Sequence, residues 1–194
     1  FWLIVTGITV DAGYPVEDVA SREKEIDAVA QAYEFDGVYR LKHITARLDT
    51  VPTRDLIGDV GRVISEVQPD TIYMPYWGDV HSDHKLVFDA VAPCTKSFRY
   101  TSIKRVRAYE TLSETEFNLR PEDSGFSPNL WVDVSSYLDK KIEIMRLFQS
   151  EFGEFPFPRS ERNLRALATF RGATAGCEAA EAFISLREIV RETH

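Results

Sequence analysis

Thr71-Ile72-Tyr73-Met74-Pro75-Tyr76-Trp77-Gly78-Asp79-Val80-His81-Ser82-Asp83-His84-Lys85-Leu86-Val87-Phe88-Asp89-Ala90 passes from a short apolar run to a helix-like segment through a turn crowded with imidazoles and carboxylates. Thr71 to Pro75 reads as a buried strand and Lys85 to Ala90 as a helix. In open α/β sheets, ligands bind at such turns, outside the carboxyl ends of strands. Two of the four histidines of the chain fall in this turn, so one stretch predicts both the architecture and the place of the site.

Working outward, the pattern of the turn repeats upstream. Phe1 to Thr6 reads as a buried strand, followed by Gly7 and a polar loop through Asp11-Ala12-Gly13-Tyr14-Pro15. Ser21 is placed to cap a helix in which Ile26, Val29, Ala30 and Tyr33 recur at helical spacing, closed by Gly37. Val38 to Leu41 reads as a second strand. Thr53 is placed to cap a helix whose Leu56, Val60, Val63, Ile64 and Val67 form one stripe, ended by Pro69. Strands alternating with helices are the signature of βαβ units. The expected fold is therefore α/β, a Rossmann-like three-layer sandwich with a mostly parallel sheet.

The remainder departs from that alternation. Lys104 to Tyr109 and Asn129 to Val134 read as further strands, joined by a loop through Pro121 and Pro128. Ser136 with Asp139 resembles a capping box for a helix holding Ile142, Ile144, Met145 and Leu147. A Phe/Pro/Gly-rich connector, Glu151 to Pro158, precedes helical readings for Arg162–Phe170 and Glu178–Ile189. Neither a second domain nor an internal repeat is visible, and residues 1–194 read as a single domain.

A chain of 194 residues is large enough to bury a continuous core without staples. Its longest apolar stretch, Phe1-Trp2-Leu3-Ile4-Val5, is far too short to span a bilayer and lacks the basic flank of a signal peptide. The default location is cytoplasmic. A formal net charge of -8 argues against sequence-independent binding to nucleic acid or to an anionic membrane. Cys94 and Cys177 have no CxxC spacing and read as buried thiols of a reducing compartment, with a disulfide left open. No G-x-G-x-x-G follows any strand, which disfavours dinucleotide binding.

His81 and His84 are three apart, so in a first helical turn they project to one face. Neutral imidazole is a good ligand for zinc, and a neighbouring carboxylate can fix its tautomer. The same spacing also fits a plainer reading, in which His81 and Asp83 cap the helix and His84 is a satisfied polar residue. Tyr73, Tyr76 and Trp77 cluster beside Gly78, and aromatic faces stack on sugar rings. Tyr73 alternates with Ile72 and Met74 and reads as core, which leaves Trp77 as the ring expected to face a pocket. His43 reads as a surface residue and His194 as a disordered terminus.

Gly78-Asp79-Val80-His81-Ser82-Asp83-His84-Lys85 after a strand resembles the His-x-Asp-His segment of the PIG-L/LmbE-like zinc-dependent N-deacetylases. The resemblance runs along nearly the whole chain. Phe1 to Thr6 is similar to that family's second strand, Arg22-x-x-Glu25 to its Arg-x-x-Glu helix, Ser127 to Ser135 to a segment before its late helix, and Ala180-Glu181-Ala182-Phe183 to its C-terminal signature.

The resemblance implies removal of acetyl from an N-acetylated amino sugar or its conjugate. It implies His84 as a metal ligand, for zinc or another divalent ion. His81 would stabilise the oxyanion or protonate the leaving amine, and Asp83 would support the imidazoles. Arg22 and Trp77 would bind substrate, although Arg22 equally suits an ordinary i,i+3 pair with Glu25. The partner implied is a small-molecule N-acetyl sugar, and a homo-oligomer stays open. The early His-Pro-Asp-Asp motif, source of the family's other metal ligands and general base, does not occur in these residues. Because Phe1 opens inside a strand-like run, that motif is expected upstream. The alternative is a catalytically inactive member or fragment serving as a binding module.

Overall fold

The computed structural model describes residues 1–119 and 125–191. Pro121 and His194 lie outside the described residues. The chain divides into two compact units, the first formed by Phe1–Thr45 and Trp131–Glu181 and the second by Ala46–Leu130 with the chain from Ala182 onward. Each is built from two separated stretches of sequence.

In the first unit, strand β1 (Trp2–Gly7) pairs in parallel with β2 (Val38–Ile44), from Trp2 opposite Val38 to Gly7 opposite Ile44, with a register slip between Ile4 and Thr6. Strand β2 runs past the expected Leu41 and takes in His43. Helix α1 (Val16–Ala32) begins directly after Pro15 rather than at Ser21. Proline is preset for a helix entry, and Glu17 and Asp18 in the first turn favour the positive end of the helix dipole; Ser21 is an interior residue. Ile26 and Val29 are its buried positions. The helix stops at Ala32, and Glu34, at φ 57°, turns the chain before Gly37 is reached.

Helix α4 (Leu138–Leu147) follows Tyr137 with no side-chain cap, so the box expected from Ser136 and Asp139 does not form. It packs on α1 and on α5 (Glu161–Ala175), which ends at Gly176 in the left-handed region.

In the second unit, α2 (Thr53–Val67) buries Leu56, Val60, Val63 and Ile64, four members of the stripe read from sequence. Gln68 at φ 48° ends it. Strand β3 (Thr71–Pro75) pairs in parallel with β4 (Arg105–Tyr109), Thr71 opposite Arg105 and Pro75 opposite Tyr109. Helix α3 (Ser82–Val91) packs against α2 and β3. Leu48, Val60, Met74, Tyr76 and Ala108 are each at most 2% exposed, and burying a side chain the size of Leu48, Val60 or Met74 contributes about 1.5–3 kcal/mol.

Glu178–Ile189, expected as a helix, is instead strand β6 (Ala180–Glu188), antiparallel to β4. The reason is tertiary. One edge of β4 is satisfied by β3, and the other needs a ladder partner for its buried backbone groups. That requirement overrides the helical propensity of an Ala- and Glu-rich segment. The strand order is β3-β4-β6-β5, with β5 (Leu130–Asp133) at the edge.

The fold is thus mixed α/β with a mostly parallel sheet content: the β1–β2 and β3–β4 pairings are parallel and β4–β6 is antiparallel. Among the described residues no helix is long and apolar enough to cross a membrane. Cys94 and Cys177 are free thiols; Cys94 is buried, with burial raising its pKa, whereas Cys177 is only half-buried.

Candidate active site

Strand β3 delivers the chain to the turn with its last residues buried. The Tyr76 N–H continues the ladder to the Tyr109 carbonyl at 3.1 Å. The Tyr76 ring then folds over the turn, packed against Trp77 and edge-on to Phe126. A Cβ on Gly78 would meet that ring at 2.4 Å, so glycine is required there to receive Tyr76. Tyr73 is half exposed, against its reading as core, and packs on Phe183 and Arg107.

The two imidazoles stack, with ring centroids 5.1 Å apart and planes 21° from parallel. His81 is the N-cap of α3, and its Nδ1 accepts the Asp83 N–H at 3.1 Å. A nitrogen that accepts carries a lone pair, so the proton of a neutral His81 ring sits on Nε2. At His84 the assignment is reversed. Its Nδ1 lies 2.7 Å from Asp79 Oδ2, and a carboxylate can only accept, so Nδ1 carries the proton and Nε2 keeps the lone pair. The turn therefore pairs one outward donor with one outward acceptor.

The carboxylate meeting the imidazole belongs to Asp79. Its side chain is wholly buried, and its second oxygen accepts the Thr115 hydroxyl at 2.6 Å. The Thr115 oxygen in turn accepts the Thr111 N–H at 2.7 Å, while the Val80 N–H is held by the Glu114 carbonyl at 3.1 Å. Asp83, expected to support the imidazoles, presents its backbone N–H to His81 and directs its carboxylate elsewhere, to the N–H groups of Ala46 at 2.7 Å and Leu48 at 3.4 Å. Tyr109 stands near Asp79; although its side chain reaches solvent in part, burial of the phenol, reinforced by the Asp79 charge, pushes its pKa up to about 12.

Trp77 is half-buried between Tyr76 and Phe88. Arg22 belongs to the other unit, where its guanidinium meets Glu151 at 2.6 Å and Glu25 at 3.7 Å and lies over the Phe148 ring. Sequence reading missed Asp79 as the partner of His84, and missed Thr115 and Tyr109 altogether. Asp79 could have been found, as a second acid in the same turn, but no spacing tells which acid reaches the ring. Thr115 is 36 positions from Asp79 and carries no sequence signal.

An imidazole whose Nδ1–H is held by a buried carboxylate is the outer-sphere arrangement of a metal-bound histidine. His84 Nε2 therefore fits one coordination position. Among the described residues no three His, Cys, Asp or Glu side chains gather as metal ligands, so these residues supply one donor and not a complete coordination sphere.

The chain is thus a mixed α/β protein with a histidine pair after the carboxyl end of a parallel strand. Residues 6–95, the stretch that contains both histidines, match the family described as "PIG-L: GlcNAc-PI de-N-acetylase". Solved structures share the fold. A conserved protein from Thermus thermophilus superposes with a TM-score of 0.73 at 18% identity, over 98% of this chain and 83% of the other. The N,N'-diacetylchitobiose deacetylase from Pyrococcus horikoshii, solved with an inhibitor, gives 0.73 at 20% identity over 95% and 72%. A 4-carboxy-2-hydroxymuconate hydratase from Pseudomonas putida gives 0.69 at 16% identity over 99% and 86%.

Proposed function

We propose that the protein is a metal-dependent hydrolase that removes acetyl from an N-acetylated amino sugar or sugar conjugate, with zinc or another divalent ion held in part by His84. The observation that carries this reading is the opposed tautomers of the stacked pair: Nε2 of His84 is a bare lone pair held in place by Asp79, and Nε2 of His81 is a donor. The family match and the deacetylase among the fold neighbours agree with it.

A divalent ion held in part by His84 would supply hydroxide near neutral pH, because a metal sharply lowers the pKa of its bound water. The His81 Nε2–H is the hydrogen-bond donor for the oxyanion of a tetrahedral adduct. Asp79, anchored by Thr115, positions His84 and fixes its tautomer. Trp77 offers an aromatic face to the sugar, and Asp83 holds the turn that carries both rings.

The test is metal content and acetate release by the full-length protein supplied with zinc, using N-acetylglucosamine and N,N'-diacetylchitobiose. His84→Ala is expected to remove stoichiometric zinc. His81→Ala is expected to keep zinc and slow acetate release about 100- to 1000-fold. Full zinc content in His84→Ala, or unchanged turnover in His81→Ala, overturns the assignment. Because a hydratase shares the fold, acetate itself is the product to measure.

A further inference from the structure

In the first unit, away from the histidine turn in sequence, an open cavity of about 530 Å³ lies at the N-terminus of α5, lined among others by Arg146, Glu154, Phe155, Ser160, Glu161 and Arg162. Three features of its wall are unusual together. Ser160 is the N-cap of α5, a position where serine normally accepts a first-turn N–H. Here it forms no such bond, is 2% exposed, and its Oγ has no partner among the described residues. A buried hydroxyl without a partner is costly. Asn163 and Leu164 instead bond the Ser160 carbonyl, at 3.1 and 2.9 Å, which leaves the leading amides of a 15-residue helix to whatever occupies the cavity.

The third feature is charge. The Arg162 guanidinium lies over the Phe155 ring at 4.4 Å and has no carboxylate partner among the described residues. The nearest acid on the helix, Glu161, is already neutralised by Arg146 and by Arg165 at 2.9 Å. The cavity wall therefore holds an unmatched cation, a stranded hydroxyl and a helix N-terminus, three donors of the kind that recognise an oxyanion.

We propose that this cavity is an oxyanion-binding site, fitted to a phosphate group, in which Arg162, Ser160 Oγ and the first amides of α5 are the donors. It stands independently of the deacetylase reading, since none of these residues belongs to the histidine turn. Among the described residues that line the cavity, Glu154 is an acid with no cation against it, so it sets the repulsive side of the site.

Isothermal titration of the full-length protein with inorganic phosphate tests the proposal, with glucose 6-phosphate distinguishing a phosphomonoester from the free ion. Saturable binding of either is expected, weakened about tenfold or more in Arg162→Gln and also weakened in Ser160→Ala, and tightened in Glu154→Gln. Arg162 and Glu154 are exposed, so those variants retain the fold even where Ser160→Ala does not. No saturable heat with either probe, or binding unchanged in Arg162→Gln, overturns the proposal.

Discussion

His81 and His84 are the same side chain in one turn, and they differ by which nitrogen holds a proton. A backbone N–H pins one ring and a buried carboxylate the other, so their outward atoms have opposite character. Nitrogen-15 correlation spectra of the neutral rings are expected to show His81 as the Nε2–H tautomer and His84 as the Nδ1–H tautomer; a shared tautomer contradicts this geometry. Asp79→Asn leaves an amide that can present its NH₂ to the ring, and zinc affinity is expected to fall about 10- to 100-fold, read by competition with a chromophoric chelator.

Tyr109 yields a pH prediction at the same scale. Its folded-state pKa, about 12 against an ordinary 10, means that between those values the unfolded chain has lost a proton that the folded chain retains. The unfolded state binds fewer protons there, so stability falls as pH rises through this window and is untouched below it. Alkaline unfolding monitored by phenolate absorbance is expected to be less steep for Tyr109→Phe than for the parent.

At the scale of elements, what was legible in the sequence was what local chemistry decides. Thr71–Pro75 and the α2 stripe emerged because a strand bounded by breakers and a helix with one apolar face state their period directly. The start of α1 was misplaced because Ser21 looked like a cap, while the helix opens after Pro15 with no side-chain cap and the acids Glu17 and Asp18 favour its first turn electrostatically. Strand β6 was read as a helix because its conformation is dictated by the open edge of β4, a partner far away in sequence. The candidate site followed the same rule: the histidines were visible, and the Asp79–Thr115 support behind them was not.

Gly172 in α5 tests this distinction between local and tertiary control. In a helix interior, Gly→Ala gains about 1 kcal/mol by propensity. A Cβ at Gly172 would meet the Cys177 carbonyl oxygen at 2.6 Å and the Ala179 backbone at 2.9 Å, and backbone cannot rotate away as a side chain does. Overpacking of this kind costs about 1–3 kcal/mol. Gly172→Ala is therefore expected to lower the urea midpoint; a raised midpoint would show that α5 shifts freely against the turn leading into β6.

At the scale of the whole molecule, the order of segments along the chain makes each unit depend on both ends of the sequence. Residues 1–45 need 131–181 to complete the first unit, and 46–130 are joined in the second by the chain from Ala182 onward. A fragment ending at residue 130 would leave α1 without α4, which packs on it, and β4 without the antiparallel partner that runs from Phe183 opposite Tyr109 to Glu188 opposite Arg105. An apolar helix face and a row of strand amides would then meet water together. Unpaired strand edges of this kind also template association. The 1–130 fragment is expected to show no cooperative urea transition by circular dichroism and to sediment as aggregates. Adding a separately produced 131–194 fragment is expected to restore a cooperative transition only if the two associate. A fragment that unfolds cooperatively on its own would mean that Ala46–Leu130 forms a self-sufficient core, and that β6 closes a sheet already stable without it.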